Sequence, residues 1–201
     1  TTEYPVVIST TGQNVTVEIK NTLIRGSVNG KKVDDDGNSL AGATIGLFNK
    51  DVTEFTAANA IQTTVSASNG SFGFNNVPYG EYVIHEISAP TGYIIDSTSY
   101  PVNIISDGQV VNIEIENTLI RGTIQGLKKD GDGNVLAGAT TGLFAGDETE
   151  LTAANAIATT VSAANGTFSF TNLPYGNYKL KELAAPEGYV LSNAVYTAAI
   201  T

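Results

Sequence analysis

The chain has no cysteine, no methionine and no tryptophan, and a single histidine, His85, in its 201 residues. Without cysteine there are no disulfides, no thiol nucleophile and no thiolate metal site. Without methionine the other easily oxidised side chain is missing too, a composition that suits an oxidising exterior. His85 has no partner at metal-ligand spacing and reads as a solvated strand residue, and no nucleophile triad is visible around it. Basic residues are scarce, 10 Lys and Arg against 20 Asp and Glu, so the net charge is −10 and the pI near 4.4. Nucleic acid and anionic membrane surfaces are therefore excluded as partners, because both would be repelled. No apolar run is long enough to cross a bilayer, so the chain reads as soluble and not membrane-inserted. No cleavable signal segment is seen either, and an exported protein would be represented here by its mature form or a fragment.

What remains is a chain of short alternating runs rich in Tyr, Val, Ile, Thr and Phe, punctuated by 21 glycines. No stretch keeps a helical period for long, and the fold class is all-β. TEFTAANAI, Thr53 to Ile61, is the one segment expected to form a helical turn. Sliding the sequence over itself pairs LAGAT at Leu40 with Leu136, PYG at Pro78 with Pro174, and NTLIRG at Asn21 with Asn117, each at an offset of 96. A unit of that size buries its own core, so this is a tandem array of domains, not a solenoid. Within it, strands are expected at Gly26–Val33, Ala43–Phe48, Gln62–Ser66, Ser71–Phe74, Glu81–Ile87, Tyr100–Ile105 and Val110–Asn117, separated by DDDGN, SNG, VPYG, APTG and SDGQ turns. Such spacing predicts an antiparallel β-sandwich. The phase of the repeat gives three segments: 1–21, equivalent to the last hairpin of a unit; 22–117, a complete domain; and 118–201, a domain lacking its last strand.

Strand alternation puts three polar side chains among apolar ones. Val28, Gly30 and Lys32 share a face; so do Tyr82, Ile84 and Glu86; and Val111, Ile113 and Ile115 are followed on their own face by Asn117. Ile124, Gly126 and Lys128, and Tyr178, Leu180 and Glu182, repeat the first two patterns. Burying a lysine, a glutamate and an asparagine separately is costly, but the cost falls if they meet. A lysine taken out of water shifts toward its neutral, nucleophilic amine, and a buried carboxyl group shifts toward the neutral acid, which can donate. A protonated Glu86 could then polarise the Asn117 side-chain carbonyl while Lys32 attacks it and ammonia leaves, tying first strand to last without a cofactor. The residues alone leave other readings open: Lys32 snorkelling from an edge strand, Lys31 turned inward by a bulge, or Asn117 capping its strand.

KKVDDDGNSLAGATIGLF, YVIHEISAPTGY and VNIEIEN, repeated in part as KKDGDGNVLAGATTGLF and YKLKELAAPEGY, resemble the first, glutamate-bearing and last strands of CnaB-type (collagen-adhesin B-region, prealbumin-like) domains of Gram-positive surface proteins and pilins. The resemblance covers essentially the whole chain. It implies an autocatalytic intramolecular isopeptide bond, with Lys32 as nucleophile, Glu86 as catalyst and Asn117 as acceptor. In the second copy it implies Lys128 and Glu182, with no acceptor in that copy.

DDDGN and DGDGN carry carboxylates at alternate positions, but Ser39 and Val135 break the calcium-loop pattern, and both read as hairpin turns; no metal is expected. LPYG at Leu173 aligns with a turn and lacks the rest of a sortase signal. The unpaired phase admits two explanations: a piece of a longer array cut out of register, or strand donation, in which Val15 to Asn21 of one molecule fills the vacant slot of a neighbour and Asn21 meets its Lys128 and Glu182. The functional expectation is a non-enzymatic structural module of a bacterial surface stalk, pilus or extracellular filament, partnered by head-to-tail copies of itself. The alternative is an adhesin module with a host protein or glycan ligand.

Overall fold

The computed structural model describes residues 3–201, which form strands and turns and no helix. The first unit contains β1 (Arg25–Asp34), β2 (Thr44–Asn49), β3 (Gln62–Val65), β4 (Ser71–Pro78), β5 (Gly80–Ser88), β6 (Tyr93–Ile94), β7 (Tyr100–Ile104) and β8 (Val110–Leu119). They make two four-stranded sheets, β4-β1-β8-β6 and β3-β2-β5-β7. Their facing sides enclose a core of Val28, Ile45, Leu47, Phe74, Ile84, Val102, Ile104 and Ile115 with their neighbours. The all-β sandwich is as expected, and β5 shows why: Tyr82, Ile84 and Glu86 are buried while the residues between them are not, the period of two that a half-buried strand requires.

The second unit repeats the plan as β9 (Arg121–Leu127), β10 (Thr140–Ala145), β11 (Ala158–Val161), β12 (Thr167–Pro174), β13 (Gly176–Ala184) and β14 (Val195–Ile200). Sheet β11-β10-β13-β14 matches its counterpart, but β9 pairs with β12 alone. Even local strain is repeated. Asn76 and Asn172 both take positive φ, 59° and 56°, and each lies where its strand inserts extra residues against β1 or β9. Asparagine tolerates that left-handed conformation better than most residues with a Cβ.

Four expectations need correction. The segment Thr53–Ile61 forms a turn closed by Asn59 N–H donating to the Thr56 carbonyl over 3.1 Å, not a helix. The two-residue strand β6 had no alternation long enough to betray it. Residues 3–24 carry no strand, and their sequence counterparts β7 and β8 lie in different sheets, so the match is to a crossing between sheets, not a hairpin. Finally, β8 runs parallel to β1, from Ser27 opposite Val110 to Asp34 opposite Asn117. The turn before β8 is tied to the start of β1: Gly108 N–H donates to the Arg25 carbonyl at 2.8 Å and Arg25 N–H to Asp107 Oδ1 at 3.1 Å. Both strands therefore set out from the same end.

Only Ile120 separates β8 from β9. Its N–H donates to the Gly92 carbonyl at 2.9 Å and its carbonyl accepts from Tyr175 N–H at 2.8 Å. Arg121 reaches back to Asp36 of the first unit, Nη2 to Oδ2 3.8 Å. The side chain of Tyr175 stands so close to Gly92 that a Cβ there would be 3.0 Å from its ring.

Candidate functional site

β1 and β8 are neighbours in one sheet, and β5 faces them from the other. Lys32, Glu86 and Asn117 point into the space between, at 0%, 1% and 1% exposure. Lys31 is exposed, so the reading with a bulge that turns it inward is not realised. The parallel register places Lys32 opposite Ile115 and Asn117 opposite Asp34, a diagonal offset of two residues on one face that a lysine side chain spans.

Asn117 Nδ2 donates to Glu86 Oε2 at 2.6 Å and to the Ile94 carbonyl at 2.8 Å. The carbonyl can only accept, so it fixes which end of the amide is nitrogen. The structure thus differs from the expectation that Glu86 polarises the Asn117 carbonyl: the acid holds the nitrogen. Lys32 Nζ lies 4.0 Å from Glu86 Oε1 and donates to the Ile115 carbonyl at 3.0 Å. Glu86 therefore contacts the amine with one oxygen and the amide nitrogen with the other. Glu86 Oε1 and Asn117 Oδ1 are buried with no hydrogen-bond partner.

Burial pushes the Lys32 amine below its ordinary value, and the nearby carboxylates of Glu86, Asp96 and Glu116 only partly oppose this. Charge is disfavoured out of water, so burial shifts this amine toward its neutral form.

Two residues near the trio went unnoticed in the sequence. Asp96 N–H donates to Glu86 Oε2 at 2.7 Å, and the Asp96 carboxylate accepts from Tyr100 OH at 2.6 Å and Thr98 N–H at 2.9 Å. Burial pushes the Asp96 carboxyl up, but its hydrogen bonds from Thr98 and Tyr100 outweigh this and hold it below the usual carboxylate range. The Tyr100 phenol is pushed up to about 12, by burial first and then by its bond to Asp96. The contact recurs in the second unit, where Ser192 N–H donates to Glu182 Oε2 at 2.8 Å, but a backbone N–H leaves no mark in the residue type, and Asp in one unit is Ser in the other.

There Lys128 Nζ lies 3.3 Å from Glu182 Oε1, and the Lys128 side chain is 22% exposed. Asn21 is exposed and makes no side-chain hydrogen bond with the described residues. The structure thus brings Lys32, Glu86 and Asn117 together, and Lys128 with Glu182, but Asn21 with neither. DDDGN closes as a turn, with Asp34 Oδ1 accepting from Asp36 and Asn38 N–H groups at 3.0 and 2.8 Å. His85 is half-buried, not simply solvated: its ring stacks on Phe55 with centroids 4.0 Å apart.

With this geometry in view, the SpaA prealbumin-like fold domain family matches residues 26–119 and again 122–201. The chain belongs to that family. The resemblance to CnaB-type prealbumin-like domains of pilins and surface proteins is borne out. No curated protein matches the sequence. Among solved structures, the chain is similar to the Bacillus anthracis TIE protein, at 23% identity and TM-score 0.76, over 89% of this chain and 32% of that one. It is also similar to a C-terminal fragment of the pilus adhesin SpaC from Lactobacillus rhamnosus GG, at 20% identity and TM-score 0.58, over 89% and 82%. Both likenesses lie in the prealbumin-like fold, and the chain spans about a third of the length of the TIE protein.

Proposed function

We propose that this chain is a structural part of a pilus, stalk or extracellular filament on a Gram-positive cell surface, and that its first unit welds itself with a Lys32–Asn117 isopeptide bond. The observation that supports the bond is the sealed trio itself. A buried lysine and glutamate each lose several kcal/mol of hydration, and here they face each other only at 4.0 Å. As a stabilising ion pair the arrangement is poor. As a reaction site it is well composed.

Lys32 Nζ, as the neutral amine, attacks Asn117 Cγ; a C–N bond forms and the carbonyl electron pair moves onto Oδ1. One amine proton passes to Glu86 Oε1. As the tetrahedral carbon collapses, the Cγ–Nδ2 bond breaks, and the carboxyl group turns to hand that same proton to Nδ2, which its Oε2 already holds at 2.6 Å. Ammonia leaves, the amide carbonyl is restored and Glu86 ends as it began. Glu86 is thus a shuttle between the attacking and departing nitrogens, acting once per molecule and never turning over. Water exclusion shifts the amine toward its neutral form and strengthens each polar contact.

The test is the intact mass of the purified chain. Loss of one ammonia is expected from the first unit, with a fragment-ion link between Lys32 and Asn117, and Glu86→Ala is expected to restore the mass calculated from the sequence. A folded wild-type chain of unmodified mass refutes the bond.

A further inference from the structure

Lys32, Glu86 and Asn117 all belong to the first unit, yet the segment that holds two of them also carries the joint to the second. Residues 92–96 form a strap between β5 and β7. At one end the Gly92 carbonyl accepts from Ile120 N–H at 2.9 Å. In the middle Tyr93 and Ile94 pair with Leu119 and Thr118, and the Ile94 carbonyl accepts from Asn117 Nδ2 at 2.8 Å. At the other end Asp96 N–H donates to Glu86 Oε2 at 2.7 Å. Four residue steps, at most about 14 Å of chain, separate Gly92 from Asp96. The joint and the trio therefore share one short piece of backbone.

Such a strap cannot fix its own position. Two residues of pairing are far too few for a ladder that stands alone, and the Ile94 side chain is 54% exposed, so the core does not anchor it. The Asp96 end is pinned within the first unit, by Thr98 and Tyr100. The Gly92 end is pinned from across the joint.

Tyr175, in the turn between β12 and β13, lays its side chain on Gly92: a Cβ added there would lie 3.0, 3.1 and 3.3 Å from three of its carbon atoms. Gly92 also has φ of 91°, a left-handed conformation that glycine adopts without cost. The backbone of Tyr175 grips the linker as well, its N–H donating to the Ile120 carbonyl at 2.8 Å. Ile120 is thus held by the strap through its N–H and by the second unit through its carbonyl. Two further contacts clasp the same linker to the turn after β1: Leu119 N–H donates to Asp35 Oδ1 at 3.2 Å, and Arg121 Nη2 lies 3.8 Å from Asp36 Oδ2.

We infer that Tyr175 is a positioning residue for the first unit's cross-link: by bracing Gly92, the second unit holds the Ile94 carbonyl against Asn117 and the Asp96 N–H against Glu86, so Lys32 condenses with Asn117 at full rate only once the second unit has docked. The role rests on the cross-link proposed above. Tyr175 acts through the backbone of the strap, not on the reacting atoms. Small displacements matter at such a site, since a misplacement of about 1 Å can cost a hundredfold in rate. The consequence is an order of events: the first unit is welded after its neighbour has folded against it, in the geometry that the joint imposes.

The full chain, synthesised cell-free in a short pulse and quenched in acid at intervals, gives the loss of ammonia against time by intact mass. Tyr175→Ala is expected to slow that loss about fivefold, within the range that a chain of contacts transmits, and to leave the final mass unchanged. Tyr175→Phe keeps the ring and should match the wild type. Arg121→Ala, which breaks the bridge to Asp36 and leaves the Tyr175 turn intact, should also slow the reaction. Tyr196→Ala, at a tyrosine of the same unit that is 65% exposed and outside the joint, should not. A residue that only stabilised its own unit would leave the rate in the other unit unmoved. Hydrogen exchange supplies a readout that needs no reaction: in Asn117→Ala, adding Tyr175→Ala should speed exchange of the Asp96 amide. Ammonia lost at one rate in wild type, Tyr175→Ala and Arg121→Ala overturns the positioning role and leaves the bond standing. An unmodified mass in every chain overturns the bond and this role with it. Equal protection of Asp96 with and without the Tyr175 ring overturns the bracing, whatever the rates.

Discussion

The ring of Phe72 lies across the backbone of β1 at Gly30, where an added Cβ would sit 2.0 Å from the ring. Gly126 and Phe168 repeat the pairing at 2.1 Å. Close approach demands glycine here, not a turn. Gly30 and Lys32 share the inner face of β1, so the ring helps to close the core beside the Lys32 amine. Gly30→Val should force the ring aside at a cost of about 1–3 kcal/mol, typical of overpacking. Denaturant unfolding in an Asn117→Ala background, where no cross-link complicates the transition, measures it. An unchanged midpoint would mean that the ring swings away freely.

In the proposed reaction Asp96 and Tyr100 act through Glu86, not on the reacting atoms. The Asp96 N–H that holds Glu86 Oε2 belongs to a loop pinned by the Asp96 carboxylate on Tyr100 and Thr98. Asp96→Ala should free that loop and slow the loss of ammonia about tenfold, the equivalent of one charge-assisted hydrogen bond, without changing the final product. Mass against time after refolding measures the rate, and Asp96→Asn, which keeps an oxygen acceptor, should recover most of it. Equal rates in all three chains would remove the positioning role.

Much of this was legible because the inner face of each strand is written at a period of two. Lys32, Glu86 and Asn117 each stand where an aliphatic residue is due, and all three proved buried. The repeat also located the partners twice, which is why Lys128 and Glu182 followed. What stayed hidden was long-range pairing. Alternation states which face a residue takes but not which strand lies beside it, so the parallel β1–β8 pair and the separation of β7 from β8 were invisible. So was the orientation of the Asn117 amide, which depends on the Ile94 carbonyl of a two-residue strand. His85 was misread because Phe55, its stacking partner, lies in a segment with no regular period.

The amine of Lys32 should leave a trace in the pH dependence of stability when it cannot react. In Asn117→Ala it remains free, with its pKa held by burial below the ordinary lysine value of 10.5. Between the folded value and 10.5 the unfolded chain binds the proton and the folded chain does not, so unfolding takes up protons and stability rises with pH across that window. Below the folded value both states are charged, and the penalty is fully present. The rise should vanish in Lys32→Met/Asn117→Ala. Parallel curves for the two variants would show that burial does not perturb this amine.

Pulling should separate the linked unit from the unlinked one. Force enters the first unit at Arg25 on β1 and leaves at Leu119 on β8, neighbouring parallel strands loaded from opposite ends. With Lys32 bonded to Asn117, tension runs from β1 directly into β8, and the roughly 85 residues between them carry none. Those residues would otherwise add about 300 Å of contour length on unfolding, at 3.3–3.6 Å each. Single-molecule stretching of the wild-type chain should therefore lack the first unit's extension step, and Asn117→Ala should restore a step of about that length. The second unit serves as an internal reference, since Asn117→Ala leaves it untouched and its step should be the same in both chains. Equal steps from the first unit in wild type and variant would show that the path through the core still bears the load, and that the cross-link is not there.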